Sequence, residues 1–320
     1  MAEFPLISLT SSQPAAWPPL PLGAWASTRS TLHRWMQIAG KIRLVQTPWL
    51  NHSWHATLYV TARGLTTSSI SYKDRTFQID FDFIDHRLEV TSSDGAVGGF
   101  PLSQQSVAVF YHQLMEEMVR LRLPLRIHMR PNEVKDTTPF DKDEAHATYD
   151  PEYANRFWRV LVHAEQVFQA FRVRFIGKCS PVHFFWGIPD LAVTRFSGRI
   201  APVHPGGLLG LPDVVTREAY SHEVSSSGFW SGDRKSDAAF YSYTYPEPSG
   251  FAAAQVQPPE AFYSARLGWF LLPYEAVRLS KNPDAVLLDF LQSTYEAAAS
   301  LGQWDRAALE RRSIERSWRP

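Results

Sequence analysis

At 320 residues with 44% hydrophobic content, the chain can bury one large core, which excludes disorder as its resting state. Its 32 lysines plus arginines balance 32 aspartates plus glutamates, so no net field draws a polyanion or an acidic membrane surface, and nucleic acid is not an expected partner. One cysteine, Cys179, excludes an internal disulfide and any thiolate-pair zinc or redox motif, which fits a reducing compartment.

Residues 1–27 carry Glu3, Pro5, Pro14, Pro18, Pro19 and Pro21, which break any apolar signal core; they read as a proline-rich extended arm that packs through Trp17 and Trp25. No later run approaches the roughly 18 apolar residues of a membrane span, so the expectation is a soluble, cytoplasmic protein without a membrane partner. From Thr28, the spacing of Leu32, Trp35, Met36 and Ala39 predicts a helix that Ser27 or Thr28 caps and Gly40 ends, with His33 and Gln37 beside its apolar face. Lys41 to Gln46 then reads as extended, Pro48 interrupts, and His52 to Arg63 reads as a second strand closed by Gly64. Phe77, Ile79, Phe81 and Phe83 alternate with polar residues and predict a half-buried strand, with Leu88–Thr91 as its neighbour and a turn at Asp94–Gly95. Val107, Phe110, Leu114, Met118 and Leu121 return to helical spacing, and Leu125–Met129 reads as a further strand.

An acidic, proline-bearing stretch over 131–151 reads as a linker, and a connection of that length is uncommon unless it packs or functions. The strongest helical stripe follows, Phe157 through Phe175, ending at Gly177. Val182–Trp186, Asp190–Phe196 and Ala239–Tyr245 read as strands, Val286–Leu301 as a closing helix and Trp304 to about Arg312 as a short charged one.

Both halves place a Gly–Lys pair at a helix end (Gly40–Lys41, Gly177–Lys178), then a histidine-bearing aromatic run, an alternating strand and a helix. The expected fold is therefore α+β: two pseudo-repeated helix, antiparallel-sheet, helix halves packed as one domain. The first half spans 28–130, the linker 131–151 and the second half 152–312, with 313–320 as a tail.

The runs Thr31–Leu44, Asn51–His55, Ser180–Gly187, Asp190–Arg199 and Glu218–Glu223 resemble an uncharacterised bacterial family known only as a domain of unknown function, over about residues 16 to 310. That resemblance implies no chemistry. Nor do the standard signatures supply any. Gly206–Gly210 lacks the dinucleotide spacing, and there is no phosphate loop, nucleophile elbow or His-Glu-x-x-His. His146 fills the position where a calcium loop beginning at Asp141 needs glycine.

Candidate chemistry rests on three histidine clusters. Asn51-His52-Ser53-Trp54-His55, read as a strand, separates His52 from His55 and allows one of them to line a site; paired structural histidines are the bland alternative. Pro181-Val182-His183 lies among Phe184, Phe185 and Trp186, which would keep the imidazole neutral; a core histidine bonded to a carbonyl is its alternative. Glu218 and His222 stack if their segment is helical, with Glu223 adjacent and Val224–Gly228 a flexible run beyond; a surface turn with ordinary charge pairing is the alternative. Lys41, Arg43, Arg195 and Arg199, with Lys178, would attract a carboxylate or phosphate if clustered, or else pair with Asp80, Asp82 and Asp190. Tyr241, Tyr243 and Tyr245 share one strand face and could stack a planar ligand.

The expectation is a hydrolase- or lyase-type enzyme on a small polar or anionic molecule in an aromatic-lined pocket. His183, His222, His52 or His55 would be acid or base, Glu218 or Glu223 the orienting carboxylate, and Lys41, Arg43, Asn51, Trp54, Trp186, Arg195 and Arg199 the ligand contacts. The rivals are a non-catalytic small-molecule-binding protein and a partner-binding role for the proline-rich arm. The residues leave any cofactor open, and a metal too, which His52 with His55 or Glu218 with His222 could help to hold.

Overall fold

The computed structural model describes residues 16–233 and 236–311; most of the expected arm and the tail lie outside them. Helix α1 (Leu22–Gln46) starts directly after Pro21, so residues 22–27 are its first turns rather than arm, with Trp17 and Trp25 buried. Thr28 does not cap it; its hydroxyl instead accepts the Asp150 N–H at 3.0 Å.

Nor does Gly40 end the helix. The chain stays helical through Lys41–Gln46 because Thr31 to Arg43 is buried on every side, and such a helix holds its form through packing rather than through an amphipathic stripe. Gly40 is there for approach: a β-carbon at this position would collide with the Trp186 indole. We expect Gly40→Ala to lose about 2 kcal/mol in urea unfolding, the overpacking cost exceeding the better helix propensity of alanine. A terminating glycine would show no such loss.

A buried helix must satisfy its polar residues one by one. His33 Nε2 meets the carbonyls of Trp186 (3.0 Å) and Gly187 (2.9 Å), Arg34 pairs with Asp143 at 3.0 Å, and Gln37 bonds both ways with the Asn132 backbone. Lys41 donates to the Asn132 side chain and Arg43 to the Thr67 carbonyl. Asn132 and Asp143 both lie in the 131–151 stretch, which also buries Phe140.

The first sheet runs β1 (Tyr59–Val60), β2 (Gly64–Thr66), β4 (Arg75–Asp82), β5 (Arg87–Ser92) and β6 (Val97–Pro101), with β3 (Ile70–Tyr72) also paired to β4. Every pairing is antiparallel. Phe77, Ile79, Phe81 and Phe83 are buried as their alternation predicts, with Phe81 against Phe110 of α2 (Val107–Arg120). Besides Lys41–Gln46, two further expected strands fail in whole or in part. Asn51–Ser53 is a 3-10 turn, leaving only β1 of the His52–Arg63 stretch, and residues 125–129 are coil.

Helix α3 (Pro151–Arg172), capped by Asp150, ends before Gly177, so the two Gly–Lys pairs are not equivalent: one lies inside α1, the other beyond α3. The second sheet has the order β11 (Phe262–Ser264), β12 (Trp269–Pro273), β10 (Ala239–Tyr245), β9 (His222–Trp230), β8 (Asp190–Ile200), β7 (His183–Phe185), again antiparallel throughout. Val224–Gly228, expected to be flexible, is the buried middle of β9.

A reciprocal pair of 2.9 Å bonds between Leu58 and Phe184 joins the sheets at β1 and β7. α1 packs against α2, α3 and β3; α3 against β1 and β8; and α6 (Pro283–Leu301) against α3, β9, β10 and the short α5 (Tyr274–Arg278). The molecule is an α+β protein of two antiparallel sheets and packed helices.

Candidate functional site

Strand residues alternate between faces. Phe229 and Phe240 point to the helices, where Phe240 meets Phe168 of α3. The registers then set Asp190, Thr194 and Phe196 of β8, His222 and Ser226 of β9, and Tyr241, Tyr243 and Tyr245 of β10 on the opposite face. The Thr194–Ser226 hydroxyl contact at 2.9 Å lies on this face. The segment following β8, which includes α4 (Asp213–Ala219), lies across it: His204 stacks on Tyr220 at 4.7 Å, Tyr220 donates to the Tyr243 hydroxyl at 3.0 Å, and Tyr245 donates to the Pro202 carbonyl.

At one end of this face stand His52, Trp54, Lys178, Phe196 and His222. His52 and Ser53 have φ of 58° and 57°, a left-handed conformation costly for residues with a β-carbon. The turn brings His52 Nδ1 to the Ala219 carbonyl at 3.1 Å, which fixes the proton on Nδ1 and leaves Nε2 to accept from Lys178 Nζ at 2.7 Å. Residues 178–180 pair along β8, which puts Lys178 over the rings of Phe196 (4.7 Å) and Trp54 (5.4 Å). The imidazoles of His52 and His222 are 6.4 Å apart. Burial and then the Lys178 charge lower the His52 pKa, and burial lowers that of Lys178.

Glu218 ends up at the rim. A helix-to-strand break separates it from His222, so the four-residue stack does not form; its carboxylate accepts the Trp49 indole N–H at 2.7 Å and still exerts a field on His52 and His55. His55 closes its own turn, accepting the Leu50 N–H at 3.1 Å beneath Trp49, and Asn51 is exposed.

His183 lies behind Trp54, ring to ring at 5.7 Å. Its pKa falls to about 3, through burial first and then the charges of Arg43 and Arg172. Trp186 donates to the Ala56 carbonyl at 2.6 Å and packs under Gly40 and Lys41.

The arginines disperse. Arg199 chelates Glu223 (2.7 Å) and the carbonyls that end α6, so these two residues brace the helix-side face instead of facing His222. Arg195 lies between Phe171 and Tyr295, 3.4 and 4.2 Å from their ring centres. Neither Arg43 nor Arg195 pairs with the acids once set against them: Asp82 holds Arg63, Asp80 holds Gln78 and Asp190 holds Tyr241.

The far end of the same face holds a group that sequence reasoning missed. Gly228 leaves β9 bare, so Tyr241 reaches across it and donates to Asp190 at 2.5 Å; a β-carbon on Gly228 would displace the phenol. Trp269 stacks on Tyr241 (5.1 Å) and Tyr243 (5.2 Å), and Glu133 crosses over Gly187. Burial pushes the Asp190 carboxyl up to about 8 and that of Glu133 to about 7. Both side chains remain partly exposed. Asp190 was legible as a strand residue, but nothing in the sequence pairs it with a tyrosine two strands away or separates Glu133 from its acidic neighbours.

Among the described residues, no three of His, Cys, Asp and Glu are arranged to hold a metal ion, and no helix is long and apolar enough to cross a membrane. No curated protein and no solved structure matches the chain. A family model does match, over residues 17–311, and the chain therefore belongs to DUF5996, a family of unknown function.

Proposed function

We propose that this protein is an enzyme of the hydrolase or lyase kind that acts on a small anionic molecule at His52, Lys178 and His222. The observation supporting it most is the relay Lys178 Nζ to His52 Nε2 with Nδ1–H on the Ala219 carbonyl. The relay holds one imidazole in one tautomer with its basic nitrogen toward solvent-facing groups. No ion pair engages Lys178 among the described residues, so a carboxylate or phosphate on the substrate would draw the ammonium to itself. His52 Nε2 would then be free to take a proton, its lowered pKa keeping it unprotonated at neutral pH, and His222 across the gap would supply one. Trp54 and Phe196 would wall the bound molecule.

The test is a turnover screen over small carboxylates and phosphomonoesters. His52→Ala is expected to lose about 10²-fold or more in rate, while the far-ultraviolet circular dichroism shows the fold retained. Equal turnover in that variant removes the proposal. A ligand that stabilises the wild type and is recovered unchanged supports a non-catalytic binding protein instead.

A further inference from the structure

Buried carboxyls and imidazoles shed charge by moving a proton; a guanidinium cannot. Arg43 (8% exposed) and the half-buried Arg172 stand inside the protein, and no ion pair among the described residues includes either. Arg43 has the Thr67 carbonyl and the Tyr59 hydroxyl, and Arg172 has Gln169 at 2.7 Å and the Cys179 thiol. These partners leave Arg43 Nε, Arg172 Nε and both ring nitrogens of His183, itself 1% exposed, buried without a hydrogen-bond partner. Such groups are rare in native interiors, and each marks a place where a partner belongs. Arg195 also leaves N–H groups over, but its two flanking rings account for it.

The topology brings these groups to one seam. Arg43 is in the last turn of α1 and Arg172 in the last turn of α3. The Leu58–Phe184 bridge sets Tyr59 against His183, with rings 5.5 Å apart, and the Arg43 guanidinium lies 5.6 Å from the same Tyr59 ring. We propose that the junction of the two sheets binds a small oxyanion, of the phosphate or sulfate class, between Arg43, Arg172 and His183. The site is separate from the catalytic one: the Trp54 indole stands between them, 5.3 Å from His52 and 5.7 Å from His183.

An anion here reverses the field on His183. The titratable groups facing it are Arg43 of α1, Tyr59 of β1 and Arg172 of α3, with Cys179 against Arg172. Binding should therefore draw a proton onto the imidazole, which then donates to the anion.

The test is inorganic sulfate against chloride at matched ionic strength, followed by the ring ¹⁵N signals of each histidine in the full chain. Sulfate is expected to shift His183 toward its protonated form near neutral pH. Arg172→Gln should weaken the apparent affinity at least about tenfold, with partial recovery in Arg172→Lys. An unmoved His183 signal, or an equal shift in Arg172→Gln, overturns the site. Arg43→Gln is a second variant, and if it does not fold the Arg172 pair alone decides. A response confined to His52 and His222 overturns this site while supporting the proposed catalytic one.

Discussion

Stability in urea is expected to be level between about pH 4.5 and 6.5 and to fall by about 2 to 3 kcal/mol by pH 8, with Asp190→Asn removing most of that fall. Asp190 and Glu133 have folded pKa values of about 8 and about 7, far above their unfolded ones, so across that span the folded chain holds protons the unfolded chain has lost. Raising the pH through the window therefore favours unfolding, by about 1.4 kcal/mol per unit and per group. His33 and His183, both depressed to about 3, act in the opposite sense and cost stability as pH falls below the free imidazole value. The two pairs offset each other between the unfolded carboxyl and imidazole values, which produces the plateau. Above it the two carboxyls set the slope, within a shell of Tyr220, Tyr241 and Tyr243 whose phenols burial keeps protonated, and Lys41, lowered by burial to about 8, opposes the fall only at the top of the window. An Asp190→Asn variant with the wild-type slope would show that this carboxyl is ionised in the folded protein.

Asp143→Ala is expected to lose about 3 kcal/mol or more. Arg34 and Asp143 are 5% and 1% exposed, and removing the carboxylate leaves the guanidinium buried without its closest counter-charge. Asp143 also accepts from the His146 backbone and ring at 3.1 and 2.9 Å, while its carbonyl takes the Ala108 N–H at the start of α2. One residue thus fastens the 131–151 stretch to two helices, and the same stretch supplies Asn132 to Lys41 and Glu133 to the carboxyl and tyrosine group. The loss should be read beside Asp136→Ala, whose exposed carboxylate sits 3.6 Å from Arg34 and is worth under about 1 kcal/mol. Equal effects from the two would contradict a buried clamp.

What the sequence conveys here follows from the range of the forces involved. Alternation over Phe77–Phe83 and helical spacing over Val107–Leu121 and Val286–Leu301 are local patterns, and each names its element correctly. Gly40 and Val224–Gly228 mislead because their roles are set by partners far along the chain: an indole from residue 186, and flanking strands that bury a serine run on both sides. Histidine density likewise pointed to His52 and His222, which the fold does bring together, and to His183 behind them. It could not assign partners. Lys178 rather than a carboxylate meets His52, and Glu223 turns to Arg199 because adjacent strand residues face opposite ways. The carboxyl and tyrosine group depends on a bare glycine on β9 and on a phenol crossing that strand, a three-dimensional coincidence with no linear trace.

The account stands on His52 being a base held in one tautomer by Ala219 and biased by Lys178. A ¹⁵N titration of the ring signals measures this directly. It should show the proton on Nδ1 and a pKa below the free imidazole value, rising in Lys178→Met. A proton on Nε2, or a His52 pKa that does not respond to loss of the ammonium, would contradict it.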